Sequence, residues 1–133
     1  MNKLKSWIQA FRPRTLFLAL STTICGSGLA YSTSFYQPKI TVLTMLIATL
    51  LQLLSNLAND LGDFQHGTDI TGERIGPTRS LQSGAISPRQ MIRAIWIIIG
   101  LTGIVGLLLI EIVSYYIGIW YMLLFLFLGI ASI

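Results

Sequence analysis

The chain has 133 residues, 53% of them hydrophobic and only 11% charged, with a mean hydropathy of +0.72. A soluble domain carries roughly 25% charged residues. A core this small cannot hide so much apolar surface, so a soluble globular domain and a disordered chain are both excluded. Nine basic residues against five acidic ones give a net charge of +4, which in so apolar a chain marks one side of a bilayer rather than a nucleic-acid partner.

Lys3, Lys5, Arg12 and Arg14 precede an uncharged run over residues 15–38, and a second run covers 40–59 after Lys39. A polar stretch over 60–93 holds four acids and four bases; residues 94–110 are uncharged again, and after Glu111 no charge follows to Ile133. At ~20 residues per crossing, these runs predict an all-α polytopic membrane bundle of four transmembrane helices, over about 15–36, 40–62, 91–111 and 115–133. A cytoplasmic N-terminus puts eight of the nine basic residues on one side, with only Lys39 opposite, which is the positive-inside arrangement. Residues 63–90 then form a cytoplasmic loop. Tyr31, Tyr36, Trp96, Tyr115 and Tyr116 fall near span ends, where aromatic rings favour the interface.

The alternative of a cleaved signal peptide is disfavoured, because the first run is too long and lacks a small-x-small site. Gly26, Ser27, Gly28 and Ala30 predict close helix packing in the first span. The lone Cys25 fits no disulfide or metal spacing and reads as a small packed residue. Trp120, Tyr121, Phe125 and Phe127 in the fourth span suit either lipid or an apolar substrate tail. With no polar flank after Ser132, the chain is expected to be the first part of something longer.

The second span ends in a polar stripe. At 100° per residue, with Asn56 as zero, Gln52, Asn59, Asp60 and Asp63 lie at about −40°, −60°, +40° and −20°. The five residues share one face, while Leu54, Leu57, Ala58 and Leu61 cover the other. A helix end surfacing into water would explain Asn and Asp there, but two of the five lie inside the apolar run, where a polar stripe must face protein, water or ligand. Carboxylates one turn apart, flanked by carboxamides, suit a hard divalent cation. Mg²⁺ in particular takes one or two carboxylates, waters and a substrate phosphate. Neither an EF-hand nor a Walker loop is present.

Downstream, Gly67, Gly72, Gly76, Pro77 and Gly84 forbid one straight helix and predict a shaped loop. Arg74 and Arg79 offer planar forks for phosphate oxygens, unless Asp69 and Glu73 engage them. His66 reads as a solvated loop histidine, and Arg89 and Arg93 as interface anchors. The pattern describes a cation-plus-diphosphate site at the cytoplasmic mouth of an apolar bundle.

Residues 59–69, Asn-Asp-Leu-Gly-Asp-Phe-Gln-His-Gly-Thr-Asp, with Arg74-Ile-Gly-Pro-Thr-Arg79 and Gln82-Ser-Gly84 after them, resemble the first Asp-rich motif of the UbiA superfamily of intramembrane aromatic prenyltransferases. The variant is most similar to the MenA branch, which acts on 1,4-dihydroxy-2-naphthoate, and Arg12-Pro13-Arg14-Thr15-Leu16 is similar to that branch's N-terminal signature. The resemblance covers nearly all of residues 1–133, as a partial UbiA-like domain. It implies transfer of a polyprenyl group from its diphosphate to 1,4-dihydroxy-2-naphthoate in menaquinone biosynthesis, at the cytoplasmic face of the inner membrane.

By the same resemblance, Asn59, Asp60 and Asp63 hold Mg²⁺, Asn56 and Asp69 join them around the diphosphate, Arg74 and Arg79 steady the leaving group, and Arg12 or Arg14 approaches the acidic aromatic substrate. Two departures stand out. The superfamily's third Asp position is Gly67 here, with the acid at Asp69, and no second Asp-rich motif follows, so residues 1–133 alone are expected to be inactive. Rival readings are a relative using homogentisate or 4-hydroxybenzoate, half of a transporter with an intramembrane ion site, and a non-catalytic membrane partner.

Overall fold

The computed structural model describes residues 3–66, 81, 84–120, 123–124 and 127. Four helices account for most of them: α1 (Lys3–Phe11), α2 (Pro13–Ser32), α3 (Pro38–His66) and α4 (Pro88–Ile117). Helix α3 is the central element and packs against each of the other three.

The helix boundaries follow from local chemistry. Pro13 lacks a backbone N–H and disfavours the right-handed helical conformation in the residue before it. Arg12 accordingly leaves the helix in the left-handed region, at φ 49° and ψ 68°, which costs a non-glycine residue about 1 kcal/mol. Its carbonyl is satisfied by the Thr15 N–H and the Thr15 hydroxyl, both at 2.9 Å.

Helix α2 ends in a left-handed turn. Ser34 has φ 62°; the Phe35 N–H reaches the Ala30 carbonyl at 2.9 Å, and the Ser34 N–H reaches Tyr31 at 3.2 Å. That is the six-to-one and five-to-two pairing of a Schellman cap. Helix α4 opens with a capping box: the Gln90 N–H donates to the Ser87 hydroxyl at 3.3 Å and the Ser87 N–H donates to Gln90 Oε1 at 3.1 Å. It closes at Gly118, whose φ of 82° suits glycine.

The buried apolar residues gather toward one end of the bundle. Ala10 of α1, Leu50 and Leu57 of α3, Met91 and Ile98 of α4, and Leu81 and Ile86 from the segment before α4 form the core. Trp7, Phe11, Leu53 and Leu61 pack against it. Elsewhere large apolar side chains face outward: Phe17, Trp96 and Leu107 are each about 70% exposed, as lipid-facing residues are. The hydroxyls of α2 donate to their own helix, Ser21 to Leu18, Thr22 to Ala19, Ser27 to Thr23 and Ser32 to Leu29, which leaves no donor exposed to hydrocarbon at those positions.

The expectation of four transmembrane helices is corrected. Among the described residues three helical stretches are long and apolar enough to cross a membrane, Lys3–Ser32, Pro38–His66 and Pro88–Tyr116. Glu111 does not end the third; α4 runs through it to Ile117, because glutamate is a good helix former and its side chain is on the exposed side. Residues 115–117 of the expected fourth span therefore belong to α4, while 121–122, 125–126 and 128–133 lie outside the described residues. The predicted 15–36, 40–62 and 91–111 spans correspond to α2, α3 and α4, each with shifted ends. The close packing expected at Gly26 and Gly28 is not realised among the described residues, since a Cβ at either would meet no atom within 4 Å.

This division between a packed end and an outward-facing apolar surface is testable. Met91 is fully buried, so Met91→Ala should lower stability by about 2–4 kcal/mol. Leu107→Ala, on the outward face, should cost less than about 1 kcal/mol when unfolding is followed in detergent micelles.

Candidate functional site

The polar stripe of α3 meets the kink between α1 and α2. Asp60, 3% exposed, receives the Nη2 group of Arg12 on Oδ1 in a direct ion pair. The two residues stand 48 apart in the chain. Asn56, one turn earlier on α3 and equally buried, uses both hydrogens of its carboxamide. One goes to the Phe11 carbonyl at 2.9 Å and one to the Thr15 hydroxyl at 2.8 Å. Its Oδ1 accepts from Gln52 Nε2 at 3.2 Å. Because the Thr15 hydroxyl also donates to the Arg12 carbonyl, the backbone on both sides of Arg12 is tied to α3. A strained left-handed residue held from two sides and carrying a buried ion pair is the kind of backbone outlier that accompanies function.

The expected site residues divide as follows. Asn56 and Asp60 come together with Arg12; Asp63 lies one turn beyond Asp60 on α3, half-buried. Asn59 is exposed, at the edge of the stripe about 100° around the helix from Asp60. Arg14 is exposed near the start of α2. Asp69, Arg74 and Arg79 lie outside the described residues. His66 ends α3 rather than lying in a loop; its Nδ1 is 2.9 Å from the Gly62 carbonyl. Sequence reasoning missed Thr15 and the Phe11 carbonyl as members of the network. Both are defined by contact with another helix, and no periodicity in residues 11–15 announces that contact.

Among the described residues there is no group of three or more His, Cys, Asp or Glu that could hold a metal ion. A cage made only of protein ligands is therefore not what these residues offer. They offer two carboxylates one helical turn apart on α3, Asp60 already paired with Arg12 and Asn56 Oδ1 engaged by Gln52; a hard divalent cation shared with a phosphate takes as few as one or two carboxylates, with water and ligand filling its other positions. An apolar groove of about 460 Å³ runs between α3 and α4, lined by Leu54, Ile99, Thr102, Gly103, Gly106 and Leu107. Leu54 lies about 9 Å along the helix axis from Asp60, at 1.5 Å per residue. The groove opens on the Leu54 side of α3, away from the polar stripe, and offers an apolar surface that suits a long hydrocarbon chain.

Comparison with known proteins agrees with this character. The family model described as the UbiA prenyltransferase family matches residues 19–132. The chain is 39% identical over 112 residues to the 1,4-dihydroxy-2-naphthoate octaprenyltransferase of Escherichia coli (strain K12), covering 84% of the chain and 36% of that protein. It is 48% identical over 92 residues to the protein of the same name from Haemophilus influenzae, covering 68% of the chain and 30% of the relative. A third, from Mycobacterium tuberculosis, is 31% identical over 109 residues, 82% of the chain and 37% of the relative. The chain thus spans about a third of the length of the curated relatives it matches. No solved structure matches it.

The ion pair sets an unequal pair of mutational costs. Arg12→Ala leaves the Asp60 carboxylate buried without its partner and should destabilise by about 3 kcal/mol. Asp60→Ala should cost less, because the Arg12 side chain is already 36% exposed and can rehydrate. The double substitution should resemble Asp60→Ala alone, a non-additivity of about 3 kcal/mol in a denaturant-unfolding cycle.

Proposed function

The chain belongs to the UbiA prenyltransferase family, and from that membership we propose that it forms the N-terminal part of an intramembrane enzyme that moves a polyprenyl group from its diphosphate to 1,4-dihydroxy-2-naphthoate. The observation that carries this reading is the buried, charge-paired Asp60 near the end of a long apolar helix. The positive-inside pattern puts that end on the cytoplasmic side of the plasma membrane, where a water-soluble aromatic acid and a diphosphate are available.

In this reading the diphosphate sits over Asp60 and Asp63, and the isoprenoid chain lies along α3 and α4. The Mg²⁺ that Asn59, Asp60 and Asp63 would hold supplies positive charge against the charge growing on the leaving diphosphate. Asn56 fixes the Asp60 end of α3 against the α1–α2 kink. Asp69 joins the same polar network, while Arg74 and Arg79 bind the phosphate oxygens in planar, two-pronged fashion. As the carbon–oxygen bond breaks, an allylic cation forms, and the surrounding Leu and Ile side chains keep water from capturing it.

The electron-rich ring attacks that carbon and the acceptor's carboxylate leaves as carbon dioxide, giving the hydroquinone demethylmenaquinol. In this reading Arg14, exposed near the start of α2, or Arg12 meets the acceptor's carboxylate. A transporter reading needs ion ligands on a broken helix at mid-membrane; α3 is continuous from Pro38 to His66 and carries Asp60 in its last two turns.

In the full-length protein, Asp60→Ala and Asp63→Ala should each lower turnover by about 10²-fold or more at saturating Mg²⁺, the scale of losing an electrostatic stabiliser. Near-normal turnover in either variant removes the site assignment. Product analysis with 1,4-dihydroxy-2-naphthoate, homogentisate and 4-hydroxybenzoate offered in parallel should yield prenylated product from the first alone.

A further inference from the structure

Arg12 occupies Asp60 in a way that a simple structural ion pair does not require. The Arg12 side chain is about one-third exposed, while the Asp60 side chain it touches is almost wholly buried. Its backbone is left-handed, and Asn56 and Thr15 fasten the chain on both sides of it. The backbone is thus fixed while the tip of the side chain remains reachable. An arginine fork binds carboxylate and phosphate oxygens with similar geometry, so the same guanidinium can serve either partner without movement of its Cα.

We propose that Arg12 is an exchangeable counter-cation: it neutralises Asp60 while the site is empty and passes from the carboxylate to the diphosphate when substrate and divalent cation arrive. This inference rests on the reading of the site as a cation and diphosphate site. The physical reason for such a device is the cost of burial. A bare carboxylate held at 3% exposure beside Asp63 would lose solvation with nothing in return, and Arg12 removes that penalty before any ligand binds. The same charge lowers the attraction of the empty site for a metal alone, because Asp60, Asp63 and Arg12 together carry one negative charge rather than two. Cation and diphosphate are then favoured as a pair, the second supplying the oxygen atoms that Arg12 takes up in exchange.

Opposite effects on two simple probes test this. Mn²⁺ binding is measured by electron paramagnetic resonance, and inorganic pyrophosphate binding by calorimetry without metal, both on the full-length protein in micelles. Arg12→Gln should bind Mn²⁺ about tenfold more tightly, since a nearby positive charge has gone, and pyrophosphate about tenfold more weakly. Arg12→Lys keeps the charge but not the fork. It should leave Mn²⁺ affinity within about twofold and weaken pyrophosphate several-fold, which supplies the same test if the glutamine variant does not fold. Equal losses for both probes, or no change in either, overturn the exchange and reduce Arg12 to a structural residue. A wild-type protein that binds neither Mn²⁺ nor pyrophosphate even when both are supplied together overturns the cation and diphosphate reading itself, and the exchange with it.

Discussion

The buried carboxylate of Asp60 is the constraint around which the described structure is arranged. A charge at that depth is tolerated only when paired and hydrogen-bonded, and its partner must come from another element because α3 has no cation within reach on that face. Arg12 supplies it. To do so the chain must break between α1 and α2, which Pro13 brings about, and the break must be held in register with α3, which Asn56 does through Phe11 and Thr15. With that end fixed, α1 can bury Ser6 and Ala10 against α3, and the apolar core collects where α1, α3 and α4 meet. The rest of the helical surface needs no such core, because hydrocarbon solvates apolar side chains as well as other side chains do.

Much of this was legible in the chain before its structure. The face shared by Asn56, Asp60 and Gln52 follows from helical rotation alone, and the structure buries the first two. Asn59 is exposed. It lies at the far edge of the arc from Asp60, and only the placement of α1 and α2 decides which edge is covered. The ion pair was illegible for a related reason: 48 residues separate its members, and no local pattern registers one helix against another. Arg12 or Arg14 was read as approaching an acidic substrate; the structure pairs Arg12 with an acid of its own chain, Asp60.

The end of the third span shifted at Glu111 for a different reason. A charge in an apolar run reads as an end of the membrane, whereas in a helix it interrupts nothing; α4 continues until Gly118 turns the backbone out of the helix. The start of α4 was recoverable. Ser87-Pro88-Arg89-Gln90 has the spacing of a capping box with proline in the first turn, three residues before the apolar run begins.

The short link from Ser32 to Pro38 has a consequence for how the protein is made. Five residues with a Schellman cap leave α2 and α3 little choice but to lie side by side in opposite directions. In an emerging chain they form a hairpin that can enter the bilayer as one unit, its loop crossing first. Arg12 and Asp60 sit at the two open ends of that hairpin, away from its loop. Their meeting closes the hairpin once both legs are in place. Biogenesis and the site thus share one pair of residues: the contact that secures the newly inserted helices is the one that keeps the buried carboxylate neutral.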